Sequence, residues 1–190
     1  CPANASFQVK FDPGQIPPDE MLAKLKELEG SQAETKSVID TRIIEVPVYY
    51  QDPWTQETLM KFRDRHQDPN STDIEYAAEI NGFNSVDQFI KAHSGAPWIV
   101  TMVGFVAGLP FLFQLVDRVR QIEVPKYLRP RTDTPKLTVG YGGCFTAIYS
   151  VRGAGGYQIF GITPMPIYDP KQEISYLTDF MVFFKPGDIV

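Results

Sequence analysis

The sequence predicts an α+β protein, with a mixed helix and strand part over residues 1–96 and an all-β part over 97–190. Three observations carry this reading. Segments with helical periodicity and capping signals all lie upstream of Gly95. From Trp98 onward, short β-branched and aromatic runs alternate with Gly and Pro turns. The 190 residues include 13 Phe, 9 Tyr and 2 Trp, and 43% are hydrophobic, which is enough apolar material for a folded core and rules out a disordered chain.

The elements follow in order. Phe7 to Phe11 alternates apolar and polar residues, as a half-buried strand does, and Asp12-Pro13-Gly14 ends it in a turn. Pro18 to Glu29 reads as a helix: Met21, Leu22, Leu25 and Leu28 share a face, Asp19 and Glu20 sit in the first turn, and Gly30 supplies the stop. Residues 30–40 are polar and read as a loop. Arg42 to Tyr50 is a strand, but Pro47 removes a ladder donor, so it belongs at an edge or a bulge. Asp52-Pro53 starts a helix carrying Trp54, Leu59 and Phe62. The capping box Thr72-x-x-Glu75 opens a second that stops at Gly82. Ser85-x-x-Gln88 opens a third, with Phe83 as a hydrophobic staple and Gly95 as the stop. The β runs are 98–103, 136–141, 144–149, 157–162, 180–184 and 188–190, spaced as in a barrel or sandwich.

Composition excludes several classes. A formal net charge of −5 is the wrong sign for a nucleic-acid footprint. Two cysteines, Cys1 and Cys144, cannot staple a chain of this size, and a free, buried Cys144 fits a reducing cytoplasm. Ala92 to Val116 contains no Asp, Glu, Lys or Arg, but Pro97, Gly104, Gly108 and Pro110 break it into pieces that suit buried strands better than a membrane span. With only His66 and His93 and no ligand spacing, no metal site is expected. No nucleophile-elbow motif supports a Ser–His–Asp centre.

Several residues remain as candidates. Seven glycines lie between residues 140 and 161. The runs Gly140 to Gly143 and Gly153 to Gly156 read either as tight β-turns or as backbone brought close to a ligand. His93 sits at a helix C-terminus, as a cap or as a functional group. Lys126, Arg129 and Arg131 form a basic cluster that is either a solvated loop or a clamp for a carboxylate or phosphate. Thr146 and Tyr149 end a strand, and either point hydroxyls into a pocket or merely finish it.

The order of these motifs carries a resemblance. His93 followed by Gly104-Phe105-Val106-Ala107-Gly108-Leu109-Pro110-Phe111-Leu112 is similar to the H…GF-x-PGF-x-YL signature of the allophanate hydrolase subunit 1 family. Val124-Pro125-Lys126, Pro130-Arg131, Val139 to Gly143 and Thr146 to Tyr149 resemble its VPR…PR…VGI-G…TGIYP. Gly153 to Tyr157 and Gly161 to Pro164 resemble its SPGGW…GRTP, and Pro186-Gly187-Asp188-Ile189-Val190 its PGD-x-V-x-F. The family includes a 5-oxoprolinase subunit and the kinase inhibitor KipI. The sequence departs from the pattern at Lys126 and Ile162, where the family has forked arginine donors, and at Ala107, Ala154 and Tyr157.

The resemblance implies a truncated ferredoxin-like N-terminal domain, then a cyclophilin-like β-barrel, in a fragment of a longer polypeptide. It implies a non-autonomous hydrolase or carboxyltransferase subunit acting on an amide, urea or lactam. The partner would be subunit 2, with no cofactor bound by this chain and ATP or biotin on partner subunits. By motif position, His93 would orient a carbonyl or shuttle a proton, and Thr146 and Tyr149 would donate hydroxyl hydrogen bonds. Gly108, Gly155 and Gly156 would bring backbone N–H groups to a developing oxyanion, Arg131 would hold a substrate carboxylate, and Thr163 would also bind substrate. A KipI-like inhibitor of a sensor histidine kinase, or a degenerate structural domain, is the alternative.

Overall fold

The computed structural model describes residues 2–32, 38 and 40–190. Cys1 and most of the polar stretch read as a loop before residue 40 lie outside the described residues. The chain forms two compact units, Cys1–Asp40 and Thr41–Val190. The compositional shift near residues 95–97 therefore marks a change of secondary structure inside the second unit.

The first unit holds a two-stranded antiparallel ladder, β1 (Pro2–Ala3) with β2 (Ser6–Phe7), and the helix α1 (Pro18–Gln32). The alternating run forms a strand only at its start; the Asp12 turn is present, with Asp12 Oδ1 accepting from Gly14 N–H at 2.9 Å. The helix continues past Gly30. A glycine stops a helix by adopting a left-handed conformation, and Gly30 does not.

The second unit is built on a six-stranded antiparallel sheet in the order β3-β10-β7-β8-β5-β4. These strands are Tyr49–Tyr50, Gln158–Ile162, Thr138–Gly142, Phe145–Ile148, Pro110–Gln114 and Trp98–Val103 respectively. A separate pair, β6 (Arg131–Thr134) and β9 (Gly153–Gly155), runs antiparallel. The Ala92–Val116 run is the β4–β5 hairpin and its approach, and no described helix is long and apolar enough to cross a membrane.

Only Tyr49–Tyr50 of the expected 42–50 strand is regular, and it is an edge strand, one of the two placements that the donor missing at Pro47 allows. Its earlier part is still used. Ile44 N–H donates to Ile189 O and Ile189 N–H to Arg42 O. Residues 187–190 bond in turn to β4, with Trp98 and Val190 exchanging two hydrogen bonds of 2.8 Å. Segments 187–190 and 42–50 thus join the two edges of the sheet. The Arg42 guanidinium bonds both carboxylate oxygens of the buried Asp188 and the Phe183 carbonyl, which fastens this strap. The expected 180–184 strand reduces to a bridge between Tyr168 and Val182.

The helices fall where their caps place them. They are α2 (Pro53–Lys61), α3 (Asp73–Ile80) and α4 (Val86–Ser94). Asp52 Oδ1 accepts from Trp54 and Thr55 N–H, Thr72 and Glu75 form the capping box, and Ser85 accepts from Gln88 N–H. α2 and α3 pack on β10, and α3 also packs on α4. Ile74, Ala77 and Phe89 from these helices meet Trp98, Val100, Leu112, Val139, Tyr141, Ile148 and Phe160 from the sheet in one core. Burying each large side chain contributes roughly 1.5–3 kcal/mol.

Candidate functional site

Strand β8 and its neighbours divide the candidate residues. Side chains alternate across a strand, so Thr146 and Ile148 face the core, whereas Ala147 and Tyr149 face the other way. The register carries the division across the sheet: Thr146 pairs with Leu112 and Tyr141, and Ala147 with Phe111 and Gly140. His93 and Thr146 therefore border one cavity, and Tyr149, Gly155 and Gly156 line another.

On the core face, His93 is buried at the end of α4. Its Nε2 lies 3.2 Å from Thr146 Oγ1 and its Nδ1 2.7 Å from the Tyr50 hydroxyl. The Thr146 hydroxyl has one proton, which goes to Gly140 O at 3.1 Å. Nε2 must then carry the imidazole proton, and Nδ1 accepts from Tyr50. Burial lowers the His93 pKa to about 4, so the ring is neutral at pH 7 and both nitrogens are committed. The His93 carbonyl accepts from Trp98 Nε1 at 2.9 Å. The cavity beside this chain, about 310 Å³, runs under the 43–50 strap and is walled by Val46, Trp98, Leu112 and Ile148.

On the opposite face, a cavity of about 390 Å³ is lined by Phe105, Leu109, Phe111, Lys126, Tyr127, Pro130, Ala147, Tyr149, Tyr157 and the backbone of Ala154 to Gly156. Glycines shape it. A Cβ on Gly142 would stand 2.4 Å from the Tyr157 ring, and one on Gly155 would stand 2.3 Å from the Tyr149 hydroxyl. These residues lie in strands β7 and β9; they clear space for phenol rings, a third arrangement beside the two readings of the sequence. Phe105, at the cavity lip, has φ +67° and is 72% exposed, a backbone conformation uncommon for a bulky residue.

The basic cluster separates. The Lys126 ammonium lies over the Tyr157 ring, 5.3 Å from its centroid, in the cavity wall. Arg129 is exposed and pairs with Asp64 at 2.9 Å. Arg131 is fully buried behind the wall. It stacks over the Tyr127 ring at 4.5 Å and donates from Nε to Thr134 Oγ1 at 3.2 Å. Gly108 (φ +74°) packs against Tyr168, where a Cβ would come within 2.9 Å, and Thr163 is buried in a turn, its Oγ1 accepting from Met165 N–H. Neither lines the cavity. Cys144, expected to be buried, is half-buried, because it follows the tight turn at Gly143 (φ +64°).

Asp73 was not singled out in the sequence. It is fully buried in the first turn of α3, and its carboxylate accepts from the Tyr127 hydroxyl and from Ile159 N–H, both at 2.6 Å. Burial raises its pKa, opposed by these bonds and by Arg131. Within the sequence an acidic residue after Thr72 reads as helix-dipole compensation; only the packing of α3 on β10 reveals its other partners.

The site thus belongs to a six-stranded antiparallel sheet with helices on one side and a phenol-lined cavity on the other. The family model for the carboxyltransferase domain, subdomain C and D, matches residues 1–178, so this chain belongs to that family. It is 30% identical over 152 residues to a 5-oxoprolinase subunit of Bacillus subtilis, covering 80% of this chain and 52% of that protein. It is 27% identical over 170 residues to the urea amidolyase of Saccharomyces cerevisiae, covering 86% of this chain and 9% of that protein. The chain thus spans about half the length of its 5-oxoprolinase relatives. Among solved structures, a conserved uncharacterized protein of Pyrococcus horikoshii is 28% identical with a TM-score of 0.59, covering 96% of this chain and 71% of that one. The Kluyveromyces lactis urea amidolyase, 23% identical, shares the fold with a TM-score of 0.74 over 95% of this chain and 11% of that one.

Proposed function

We propose that this chain is one part of a heteromeric hydrolase or carboxyltransferase, and that the cavity of Tyr127, Tyr149 and Tyr157 binds an amide, urea or lactam. The observation that carries this reading is the cavity itself. It combines flat aromatic walls with the Tyr149 hydroxyl, bare backbone at Gly155 and Gly156, and the Lys126 ammonium. A planar, uncharged carbonyl compound fits such walls, with its oxygen taking hydrogen bonds from Tyr149 and from backbone N–H. Lys126 at the rim suits a carboxylate or a developing negative charge.

In this reading His93 and Thr146 hold the barrel together from its other face, and Arg131 acts through the cavity wall. The second unit is a cyclophilin-like barrel, a description its edge-joining strap supports, and the first is part of a ferredoxin-like domain. Subunit 2 completes the site, and ATP or biotin chemistry belongs to partner subunits. Calorimetric titration of the chain, alone and reconstituted with subunit 2, against 5-oxoproline, urea and allophanate tests this. We expect binding of at least one, weakened about tenfold by Tyr149→Phe or Lys126→Ala. Equal affinity in both variants removes the assignment.

A KipI-like role is the second reading. The family arginines are replaced by Lys126 and Ile162, and a binder needs no intact site. Capture of a histidine kinase dimerisation domain in place of subunit 2 would establish it.

A further inference from the structure

Three buried polar groups stand behind the cavity wall. Arg131 has no exposed surface, and its Nη1 and Nη2 make no well-formed hydrogen bond. A guanidinium so placed carries a heavy desolvation cost unless other charges or dipoles compensate. Its surroundings supply them in two directions. On one side is the Tyr127 ring, whose hydroxyl donates to the buried Asp73 carboxylate. On the other is Tyr149. In the β6–β9 ladder Arg131 pairs with Gly155, and the missing Gly155 side chain leaves the space that the Tyr149 hydroxyl occupies. His66 Nε2, 3.7 Å from Asp73 Oδ1, is the other titratable group of the cluster.

The two phenols consequently differ. The Tyr127 hydroxyl donates its hydrogen bond to Asp73; burial and that carboxylate raise its pKa, opposed by the Arg131 guanidinium. The Tyr149 hydroxyl lies against Gly155, the ladder partner of Arg131, and the Arg131 guanidinium and the Tyr157 N–H oppose the upward push of burial on its pKa. Both of those neighbours are donors only. Neither competes for the Tyr149 proton, which remains available for a group in the cavity.

We propose that Arg131 is a positioning residue that polarises the Tyr149 hydroxyl into the cavity's hydrogen-bond donor, with Asp73 as its buried counter-charge acting through Tyr127. This rests on the reading that the cavity holds a carbonyl compound. Tyr127, equally close to the cavity, is a structural wall. The arrangement distinguishes Tyr149 from Tyr127 as a donor and gives the buried Arg131 a role that needs no direct contact with substrate.

Fluorine NMR titration of the full chain, with Tyr149 or Tyr127 replaced by 3,5-difluorotyrosine, tests this without any ligand. The label at 149 should titrate at lower pH than the label at 127. Arg131→Met should raise the value at 149 by about one unit or more, and Arg131→Lys should restore at least half of that shift. A label at 127 that titrates at or below the one at 149 overturns the proposal, and this comparison survives even if Arg131→Met fails to fold. An unchanged value at 149 in a folded Arg131→Met chain also overturns it. If the titrations behave as expected but no carbonyl compound binds, the proposed function fails and the polarised Tyr149 stands.

Discussion

The two faces of β8 use the same residue types for opposite ends. On the core side, His93, Tyr50, Thr146 and the Gly140 carbonyl form a chain in which every proton has an acceptor. On the other side, Tyr149 stands among donors in a cavity wall, with its own proton uncommitted. A closed network rigidifies and an open one can bind. Residues three apart in the sequence, both expected in one centre, are divided by the pleat of a single strand.

Substitutions put this contrast to the test. The largest effect is expected from His93→Ala, which removes a buried ring and both of its hydrogen bonds. Chemical denaturation should show a loss of about 3 kcal/mol, with ligand affinity at the tyrosine cavity changed less than about twofold. A tenfold loss of affinity in a folded variant would merge the two faces into one site.

Acid should act on the same face. The His93 pKa falls from 6.5 to about 4 on folding, so the unfolded chain takes up its proton first as pH drops. The stability associated with the neutral ring is complete above pH 6.5 and is lost as pH falls towards 4. Between pH 7.5 and pH 5 this amounts to about 2 kcal/mol. His93→Gln should flatten that part of the stability curve; an unaltered slope in the variant would contradict a neutral, buried imidazole.

Tyr149→Phe reverses the pattern. Stability should change by less than about 1 kcal/mol, while affinity falls about tenfold. Smallest is Arg42→Met on the closing strap. Since the Arg42 side chain is 44% exposed, the expected loss is only about 1 kcal/mol. Faster amide exchange at Val100 and Ile189, with no change at Gly140, would show that the strap opens locally.

Much of this architecture was legible in the sequence because local chemistry writes it there. Asp52, Thr72 and Ser85 mark three helix starts through side-chain oxygens that satisfy backbone donors, and the structure places all three. Trp98–Val103 was visible from its β-branched and aromatic content. By contrast, β6 and β9, with the sequences RTDT and GAG, have no strand signature; they exist only through each other. Phe111 and Leu112 of β5 are apolar on both faces because core covers one and the tyrosine cavity the other, so no alternation announces the strand. His93, Thr146, Tyr149, Gly155 and Arg131 were found as candidates by motif position, but their division into two networks was not.

Caps, periodicity and residue order act over a few positions, and they were enough to set the α+β composition, the helix starts and membership of a family. Other outcomes needed the folded chain. The clustered glycines clear room for tyrosine rings, Asp73 meets Tyr127, and His93 and Tyr149 lie on opposite sides of one sheet. Those outcomes depend on which strand pairs with which and in what register, and a one-residue slip in register would turn every side chain of a strand to the opposite face.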